Sequence, residues 1–309
     1  MPIDILCVGH AAYDLSFFVE SYPVENTKCE TNELLESGGG PAANTAYLLS
    51  LWGAGCAFAG LVGDDVSGRR IQEEFQRAGT DISLLELRAG HATPMSMVLI
   101  NKGNGSRTIV NRKAPGGSLR INPGMGDRMA PQVLLFDGHE FEASLAALEA
   151  FPEATSILDA GSWREGTSHL AGRVDYLAAS ARFALQATGL DSIHTDGERR
   201  ECVHILRDKY GATIVVTMGE DGLVADDGGG FFWLPAYPAR AVDTTAAGDI
   251  FHGALAYGIA KTNRPPARAD FREILKFASM AASLSVRKAG GRQSIPSLAA
   301  VKEALANVK

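Results

Sequence analysis

The sequence is poor in cysteine, and its four cysteines, Cys7, Cys29, Cys56 and Cys202, stand far apart with no CxxC pair. Zinc sites and the disulfide frameworks of small secreted domains need paired or closely spaced cysteines, so we expect neither here. The first residues, Met1-Pro2-Ile3-Asp4, also lack the basic start of a signal peptide. These absences favour a reducing, cytoplasmic environment.

Basic residues are scarce as well. The chain has 29 Lys and Arg against 36 Asp and Glu, which gives a net charge of −7, and no basic stripe interrupts it. Proteins that bind nucleic acid present clustered Lys and Arg, so we expect no nucleic-acid partner. An anionic substrate would have to be held by a local pocket against the overall charge.

Charge is missing altogether from residues 37–63, a run of roughly 27 residues that is long enough to span a bilayer. The run contains Pro41 and Asn44 and is divided by Gly53-Ala54-Gly55. We therefore interpret it as a buried helix over 41–52 followed by a buried strand over 56–61, and we expect no membrane partner.

Short apolar runs recur along the chain and end in polar residues or glycine. They predict strands at 3–9, 133–136, 156–158, 176–178 and 213–216, with helices between them. This alternation predicts an α/β fold with an open, mostly parallel sheet and helices on both faces. Turn signals predict hairpins at 93–111 and 223–234. We expect a single domain over 1–309 with a small β lid formed by about 14–36 and 91–113.

The clearest chemical signal is the stretch Asp243-Thr244-Thr245-Ala246-Ala247-Gly248-Asp249. Apolar residues then recur at helical spacing, so a helix is expected to begin near Gly248, with Thr244 and Thr245 as candidate N-cap residues. Free N–H groups at a helix start bind anions, and Asp249 beside them suits a general base for a hydroxyl that attacks a phosphate. Taken alone, the stretch also fits an ordinary capped helix.

A glycine-rich turn, Gly38-Gly39-Gly40-Pro41-Ala42-Ala43-Asn44, lies about two hundred residues earlier. It is neither GxGxxG nor GxxxxGK[ST], so the dinucleotide fingerprint and the P-loop are both absent. Its glycines allow a ligand to approach the backbone, and the amide of Asn44 can both donate to and accept from sugar hydroxyls. A plain loop into a helix is the alternative interpretation.

Other polar residues follow predicted strands, where α/β proteins bind ligands. Asp14 follows the first strand, and Asn111 ends the first hairpin. Asp137, His139 and Glu140 follow the strand at 133–136. Adjacent strand-end side chains seldom converge on one ion, so we favour a sugar contact or a plain turn there over a transition-metal site.

Together these motifs resemble the ribokinase-like (PfkB) family of sugar kinases. In chain order, the matching elements are Gly39-Gly40 with Asn44, Gly63-Asp64-Asp65, Thr217-Met218-Gly219 and the stretch 243–249. The resemblance covers nearly the whole chain, and its two distant glycine turns make a specific joint signal. Residues 38–43, 251–255 and 290–292 look like the sulfofructose kinase and ketohexokinase branch.

The resemblance implies roles for the motif residues. It makes Asp249 the catalytic base and assigns the anion hole to the N–H groups of Ala246, Ala247 and Gly248. The residues implied to bind the sugar are Asp14, Gly39, Gly40, Asn44, Asn111 and His139. Those implied to border ATP are Ser180, Thr217, Gly219 and Gly222. Those that match a monovalent-cation site are Asp243, Thr245, Gly291 and Ser294. ATP and Mg²⁺ are implied as cofactors, K⁺ as a candidate ion, and the lid as the surface of a homodimer.

The sequence departs from the family pattern at three places. Ala246 stands where the family usually has glycine, which costs on the order of 1 kcal/mol if that residue needs a positive φ. Ser180-Ala181-Arg182-Phe183 replaces the common Asn-x-x-Glu motif, so direct carboxylate help for Mg²⁺ is in doubt. His139 stands where sulfofructose kinases place an arginine suited to a sulfonate, which makes a sulfosugar a less favoured substrate.

The sequence thus predicts an ATP-dependent sugar kinase that acts on a ketohexose such as fructose, or on a ribose-like sugar. One alternative is a nucleoside kinase, with Phe17, Phe18 and Tyr22 as candidates for a base pocket. Others are a sulfofructose kinase and a catalytically inactive sugar-binding regulator. Ala246 and the missing Asn-x-x-Glu support the regulator, whereas the intact Asp249 opposes it.

Overall fold

The computed structural model describes residues 3–114, 117–121, 129–262 and 266–308. Its strands and helices, in chain order, are β1 (Ile5–Val8), β2 (Ala12–Val19), β3 (Leu34–Gly39), α1 (Pro41–Leu51), β4 (Cys56–Gly63), α2 (Val66–Ala78), β5 (Asp81–Arg88), β6 (Met95–Asn101), β7 (Arg107–Arg112), β8 (Val133–Phe136), α3 (Phe141–Ala150), β9 (Thr155–Ala160), α4 (Glu165–Leu170), β10 (Tyr176–Ser180), α5 (Ala181–Thr188), α6 (Asp196–Tyr210), β11 (Thr213–Thr217), β12 (Leu223–Asp226), β13 (Phe231–Leu234), α7 (Ala247–Ala260), α8 (Arg268–Ser285) and α9 (Leu298–Ala306).

A nine-stranded sheet in the order β13-β12-β11-β10-β9-β8-β1-β4-β5 crosses the described part of the chain. From β11 to β5 the neighbouring strands are parallel, whereas β12 and β13 form an antiparallel hairpin at the other edge. The chain passes from β1 to β4 and β5 on one side and from β8 onward on the other. The order therefore reverses between β1 and β8, where open α/β sheets bind ligands.

Helices cover both faces of this sheet, as the alternation in the sequence predicts. Successive residues of a strand point to opposite faces, so Ile5 and Cys7 of β1 enter one core and Leu6 and Val8 enter the other. Helices α1 and α7 pack side by side on the first face, where the Thr45 hydroxyl donates to the backbone carbonyl of Asp249 at 3.1 Å. The α/β prediction is confirmed, and the two glycine turns meet.

A second, four-stranded sheet has the order β3-β2-β6-β7 and contains the segments predicted for the lid. Its register aligns Asp14 of β2 with Ser96 of β6, and Ser96 with Asn111 of β7. Because side chains at aligned positions share a face, these three polar groups lie side by side on the face that turns toward the large sheet. The hairpins predicted at 93–111 and 223–234 are confirmed.

Strand β5 was not predicted from the sequence, because this half-buried edge strand shows neither an apolar run nor a strict alternation. Helix α2 begins at Val66, because Asp65 caps it by accepting a 2.8 Å bond from the Gly68 N–H. Within the described residues, the structure contains no helix with the length and apolar character that a membrane crossing requires.

Candidate active site

The loops after β1 and β8 are joined by one buried carboxylate. Asp137 accepts hydrogen bonds from the backbone N–H groups of His10 at 2.8 Å, His139 at 2.9 Å and Ala42 at 3.1 Å. Burial alone would raise the pKa of Asp137, but the charge of His139 and the donated N–H bonds hold it below its usual value. Asp137 thus ties the start of α1 to the sheet through backbone hydrogen bonds.

The glycine turn before α1 leaves room for a second carboxylate, that of Asp14. A Cβ at Gly39 would lie 1.9 Å from Oδ2 of Asp14, and a Cβ at Gly40 would lie 2.4 Å from the carbonyl oxygen of His10. Gly40 also has φ 99°, a conformation that glycine adopts at no steric cost. The turn needs glycine because Asp14 and the backbone of the loop after β1 come this close to it.

The start of α7 has the geometry of an anion site, but its cap differs from the prediction. The N-cap residue is Ala246, with φ 60° and ψ 8° and no capping side chain. Thr244 and Thr245 are therefore not N-caps, and the Thr245 hydroxyl donates to Oδ1 of Asp243 at 2.6 Å. The N–H of Ala247 makes a long 3.4 Å bond to the carbonyl oxygen of Thr244, just outside the helix. The first N–H groups of a helix have no partner within it, which is the arrangement that binds a phosphate.

Asp249 lies in the first turn of α7 and is held by a chain of buried polar groups. Its Oδ2 accepts a 2.7 Å bond from Nδ2 of Asn44, whose Oδ1 accepts a 3.2 Å bond from Nε of Arg292. Arg292 is buried, pairs with Glu74 at 2.6 Å, and lies over the rings of Tyr47 and Phe75. Because Arg292 takes the oxygen of the Asn44 amide, the nitrogen of that amide faces the carboxylate of Asp249.

The electrostatic surroundings tune Asp249 for proton transfer. Burial, followed by the charge of Asp159, raises the pKa of Asp249 to about 6, while Asn44, His252 and Arg107 oppose that rise. Nδ1 of His252 lies 2.9 Å from Oδ2 of Asp159. Although burial alone would lower the pKa of His252, the Asp159 carboxylate raises it. A base with a pKa near 6 is ionised at neutral pH yet still accepts a proton readily.

Asp249 opens into a cavity of about 750 Å³ between the two sheets, which we call the acceptor cavity. Most of the predicted sugar residues line it: Asp14, Gly40, Asn44, Asn111 and His139. Gly39 does not line it and instead makes room for Asp14. Burial raises the pKa of Asp14, and a bond from Ser96 and the charge of Arg292 offset part of that rise.

A second cavity of about 630 Å³, the nucleotide cavity, lies on the other side of the α7 N-terminus. Thr217, Gly219 and Gly222, three of the residues predicted to border ATP, line it together with Ala247. The fourth, Ser180, lines the acceptor cavity instead, beside Ala246. Thr217 and Gly248 line both cavities, so among the described residues the two spaces meet at these two positions.

The predicted cation residues lie together beneath the α7 turn. Asp243 accepts from the N–H groups of Thr245 and Gly290, each at 2.8 Å, and Ser294 donates to the carbonyl of Gly291 at 2.8 Å. The carboxylate, hydroxyl and carbonyl oxygens of these residues are of the type that coordinates K⁺. Among the described residues, no group of three acidic, His or Cys side chains is placed to hold a metal ion.

Several residues of the site were not assigned from the sequence. They are His10, Glu74, Arg107, Asp159, Arg164, His252 and Arg292. Asp159 lies at the carboxyl end of β9 and Arg164 follows that strand, so the strand-end rule contained a signal for both. Glu74 and Arg292 are far apart in the sequence and carried no such signal.

The fold and these two cavities fit an ATP-dependent sugar kinase, and the comparison with known protein families establishes that class. The sequence model of the pfkB family carbohydrate kinases matches residues 2–121 and 137–298 of this chain. The chain belongs to this family.

Relatives agree with the family while differing in their acceptor. The chain is 26% identical over 282 residues to the aminoimidazole riboside kinase of Salmonella typhimurium, with 86% of each chain covered. It is 27% identical over 295 residues to the ketohexokinase of Mus musculus, covering 88% of this chain and 92% of that one.

Solved structures show the same architecture. A candidate ribokinase from Agrobacterium tumefaciens superposes with a TM-score of 0.86 at 28% identity, covering 99% of this chain and 98% of that one. The ribokinase of Arabidopsis thaliana, solved with ribose and ATP, gives a TM-score of 0.81 at 22% identity with 99% of both chains covered. The ribokinase-like fold is therefore established, and the sugar is left to be identified.

Proposed function

We propose that this kinase transfers the γ-phosphoryl group of ATP to a primary hydroxyl of a small sugar, a ketohexose or a ribose-like pentose. One observation carries the proposal. Asp249 faces the acceptor cavity from the first turn of α7, and the neighbouring Gly248 faces both that cavity and the nucleotide cavity. A sugar hydroxyl beside Asp249 and a phosphate over Gly248 would then be in line.

In the proposed reaction, Asp249 accepts the hydroxyl proton as the oxygen attacks the γ-phosphorus. The N–H groups at the start of α7 stabilise the negative charge on the transferring group. Arg107, whose guanidinium donates to the hydroxyl of Thr244, brings a positive charge to the same place. When bound, Mg²⁺ would supply positive charge that neutralises the phosphates of ATP.

The small sheet would act as a lid over the acceptor cavity, since Asp14, Ser96 and Asn111 on its inner face line that cavity. Closure would exclude water and limit hydrolysis of ATP. The outer face exposes Met97 and Val110, which are aligned on neighbouring strands. These exposed apolar side chains support the homodimer that the resemblance implies. The test is the molar mass of the purified protein in solution, measured by light scattering.

The deciding experiment measures ADP release with fructose, ribose and adenosine, in the presence of Mg²⁺ and with or without K⁺. Sugar-dependent release that is lost in Asp249→Asn supports the proposal. Binding of sugars without ADP release would instead support the inactive regulator. A preference for adenosine would support the nucleoside kinase, although Phe17, Phe18 and Tyr22 lie outside the residues that line the acceptor cavity.

A further inference from the structure

A buried ion pair lies against the glycine turn that precedes α1. Nη1 of Arg292 lies 2.6 Å from Oε2 of Glu74, and the two side chains are 3% and 18% exposed. A Cβ at Gly38 would lie 2.3 Å from the same Nη1. Neither Arg292 nor Glu74 is among the described residues that line the acceptor cavity or the nucleotide cavity. Arg292 therefore lies outside both substrate spaces, and any effect on the reaction must pass through its neighbours.

Several contacts fix the orientation of the Arg292 guanidinium. Its central carbon lies 4.7 Å from the centroid of the Tyr47 ring and 4.8 Å from that of Phe75. Glu74, in turn, is fixed at the end of β3, since its two carboxylate oxygens accept the N–H of Gly38 at 3.1 and 3.0 Å. A guanidinium that stacks on aromatic rings and pairs with a carboxylate has little freedom to turn. The Nε–H of Arg292 is thereby aimed in one direction.

The Nε–H of Arg292 meets the side-chain amide of Asn44. It donates to Oδ1 at 3.2 Å, while Nδ2 of the same amide donates to Oδ2 of Asp249 at 2.7 Å. A guanidinium has donors only, so it pairs with the amide oxygen and not with the amide nitrogen. If the amide were reversed, its oxygen would face the carboxylate oxygen and its nitrogen would face a cation. The charge and direction of Arg292 thus select the amide orientation that favours an ionised Asp249.

The other charged groups around Asp249 come from three elements. Burial raises the pKa of Asp249 most and Asp159 at the end of β9 raises it further, whereas His252 on α7 and Arg107 on β7 lower it. These three residues stay in place when Arg292 is replaced. A change in the pH profile of such a variant therefore reports on the amide that Arg292 orients.

Arg292 also lies close enough to Asp14 to affect its ionisation. Burial raises the pKa of Asp14 most, a bond from Ser96 and the charge of Arg292 lower it, and the charge of Glu74 raises it. Because Arg292 and Glu74 act in opposite directions, replacing both by uncharged side chains removes two opposing effects together. A double substitution therefore disturbs Asp14 less than either single substitution does.

We propose that Arg292 is a positioning residue for the catalytic base: braced by Glu74, it holds the Asn44 amide in the orientation that stabilises the ionised carboxylate of Asp249. This inference rests on the proposed kinase function and adds to it a residue that lies outside both substrate spaces. It also gives the buried guanidinium a role, since a buried ion pair by itself is weak evidence of a gain in stability.

The alternative is an ion pair that only supports the fold, and single substitutions do not separate the two roles. Removing one partner leaves an uncompensated buried charge, which is strongly destabilising, whereas replacing both by uncharged side chains of similar volume is often neutral. The informative variant is therefore Glu74→Gln/Arg292→Met. Glutamine keeps an oxygen for the N–H of Gly38, and methionine fills the space against Tyr47 and Phe75.

The experiment measures kcat/KM against pH, together with the thermal midpoint, for whichever of fructose and ribose the parent turns over better. We expect the double variant to melt close to the parent, with kcat/KM at pH 7 lower by about tenfold and the acidic limb higher by about half to one pH unit. KM for ATP should change little. Arg292→Lys, with Glu74 in place, should return the limb toward that of the parent, because an ammonium is also a donor without an acceptor.

Adding Asn44→Ala tests the route by which Arg292 acts. If Arg292 acts through Asn44, the triple variant Asn44→Ala/Glu74→Gln/Arg292→Met should have the acidic limb of Asn44→Ala alone, because residues in one hydrogen-bonded chain are not additive. Shifts that add would overturn the inference, as would an acidic limb and a kcat/KM in the double variant equal to those of the parent.

The matched control is Glu73→Gln/Arg77→Met, which changes an exposed ion pair on the same helix, α2, with its charged atoms 3.6 Å apart. It should leave the acidic limb and the thermal midpoint unchanged. Full recovery of the Glu74→Gln/Arg292→Met variant when K⁺ is raised would also overturn the inference, since Arg292 would then act through the neighbouring cation residues Gly291 and Ser294. No ADP release from the parent with any sugar would refute the kinase proposal, and this inference with it.

Discussion

Nδ2 of Asn44 donates a 2.7 Å hydrogen bond to Oδ2 of Asp249 across the interface between α1 and α7. The two residues are 205 positions apart in the sequence. The bond depends on the orientation of the amide, because Nε of Arg292 requires the Asn44 oxygen on its own side. Asn44 therefore has a second role beside the sugar contact implied by the resemblance, which is to stabilise the ionised form of the proposed base.

Asn44→Ala tests this role through pH dependence. The Asn44 bond lowers the pKa of Asp249, which burial raises to about 6, so its loss should raise that pKa further. A base must be ionised to act, and the acidic limb of kcat/KM against pH should move to higher pH. Asn307→Ala, at an exposed position after α9, is the control. If the acidic limb lies at the same pH in Asn44→Ala and in Asn307→Ala, then Asn44 does not stabilise the ionised form of Asp249.

Asp249→Asn should separate activity from stability. We expect kcat to fall by about two to four orders of magnitude while ATP binding is largely unchanged. The folded-state pKa of about 6 lies above the 3.8 of an unperturbed aspartate, so burial of the ionised carboxylate destabilises the fold as pH rises through that range. The variant should therefore melt at a higher temperature than the parent at pH 8, with the gain shrinking toward pH 4. If the variant and the parent melt at the same temperature at pH 8, burial of the ionised Asp249 carboxylate does not destabilise the fold.

Gly248→Ala tests the meeting point of the two cavities. A Cβ at Gly248 would have nothing within 4 Å, and alanine is a better helix former, so the variant should fold normally. The methyl group would nevertheless occupy the space that acceptor and nucleotide share. We expect kcat to fall by about tenfold to a hundredfold through misplacement of the reacting groups, with dissociation constants for each ligand alone nearly unchanged. Normal turnover would show that the phosphoryl group passes elsewhere.

Ala246→Gly tests the backbone strain at the α7 cap. Alanine with φ 60° is in the left-handed region, and glycine there should raise stability by up to about 1 kcal/mol. The matched control is Ala299→Gly in the exposed part of α9, where the same substitution should lower stability by about 0.5–1 kcal/mol. Opposite shifts of the thermal midpoint are expected, and a decrease in both would mean that position 246 carries no strain.

Local patterns in the sequence were sufficient for most of the fold. Apolar runs located the inner strands, and the glycine turns located the ends of α1 and α7 that bring Asn44 to Asp249. Strand β5 was missed because edge strands are only half buried and show a weak pattern. Whether Ala246 needs a positive φ also depends on how the turn is packed, which residue types alone do not determine.

Long-range pairings were the part that the sequence could not supply. Glu74 and Arg292 form a buried ion pair across 218 positions, and nothing near either residue indicates its partner. The same holds for Lys113 and Arg164, which follow strands of different sheets and yet line the same cavity. These pairings depend on topology, whereas the motif residues depend on local backbone geometry.

The bonds that Asp137 accepts have a consequence for how this molecule tolerates change. The loop after β1, the loop after β8 and the first turn of α1 are tied to the carboxylate of Asp137 by main-chain N–H groups, which any substitution at positions 10, 42 and 139 except proline preserves. His10 and His139 make these bonds through their N–H groups, so their imidazole side chains can change without breaking them. Substitutions of these two side chains should therefore alter the lining of the acceptor cavity while Asn44 keeps its place beside Asp249.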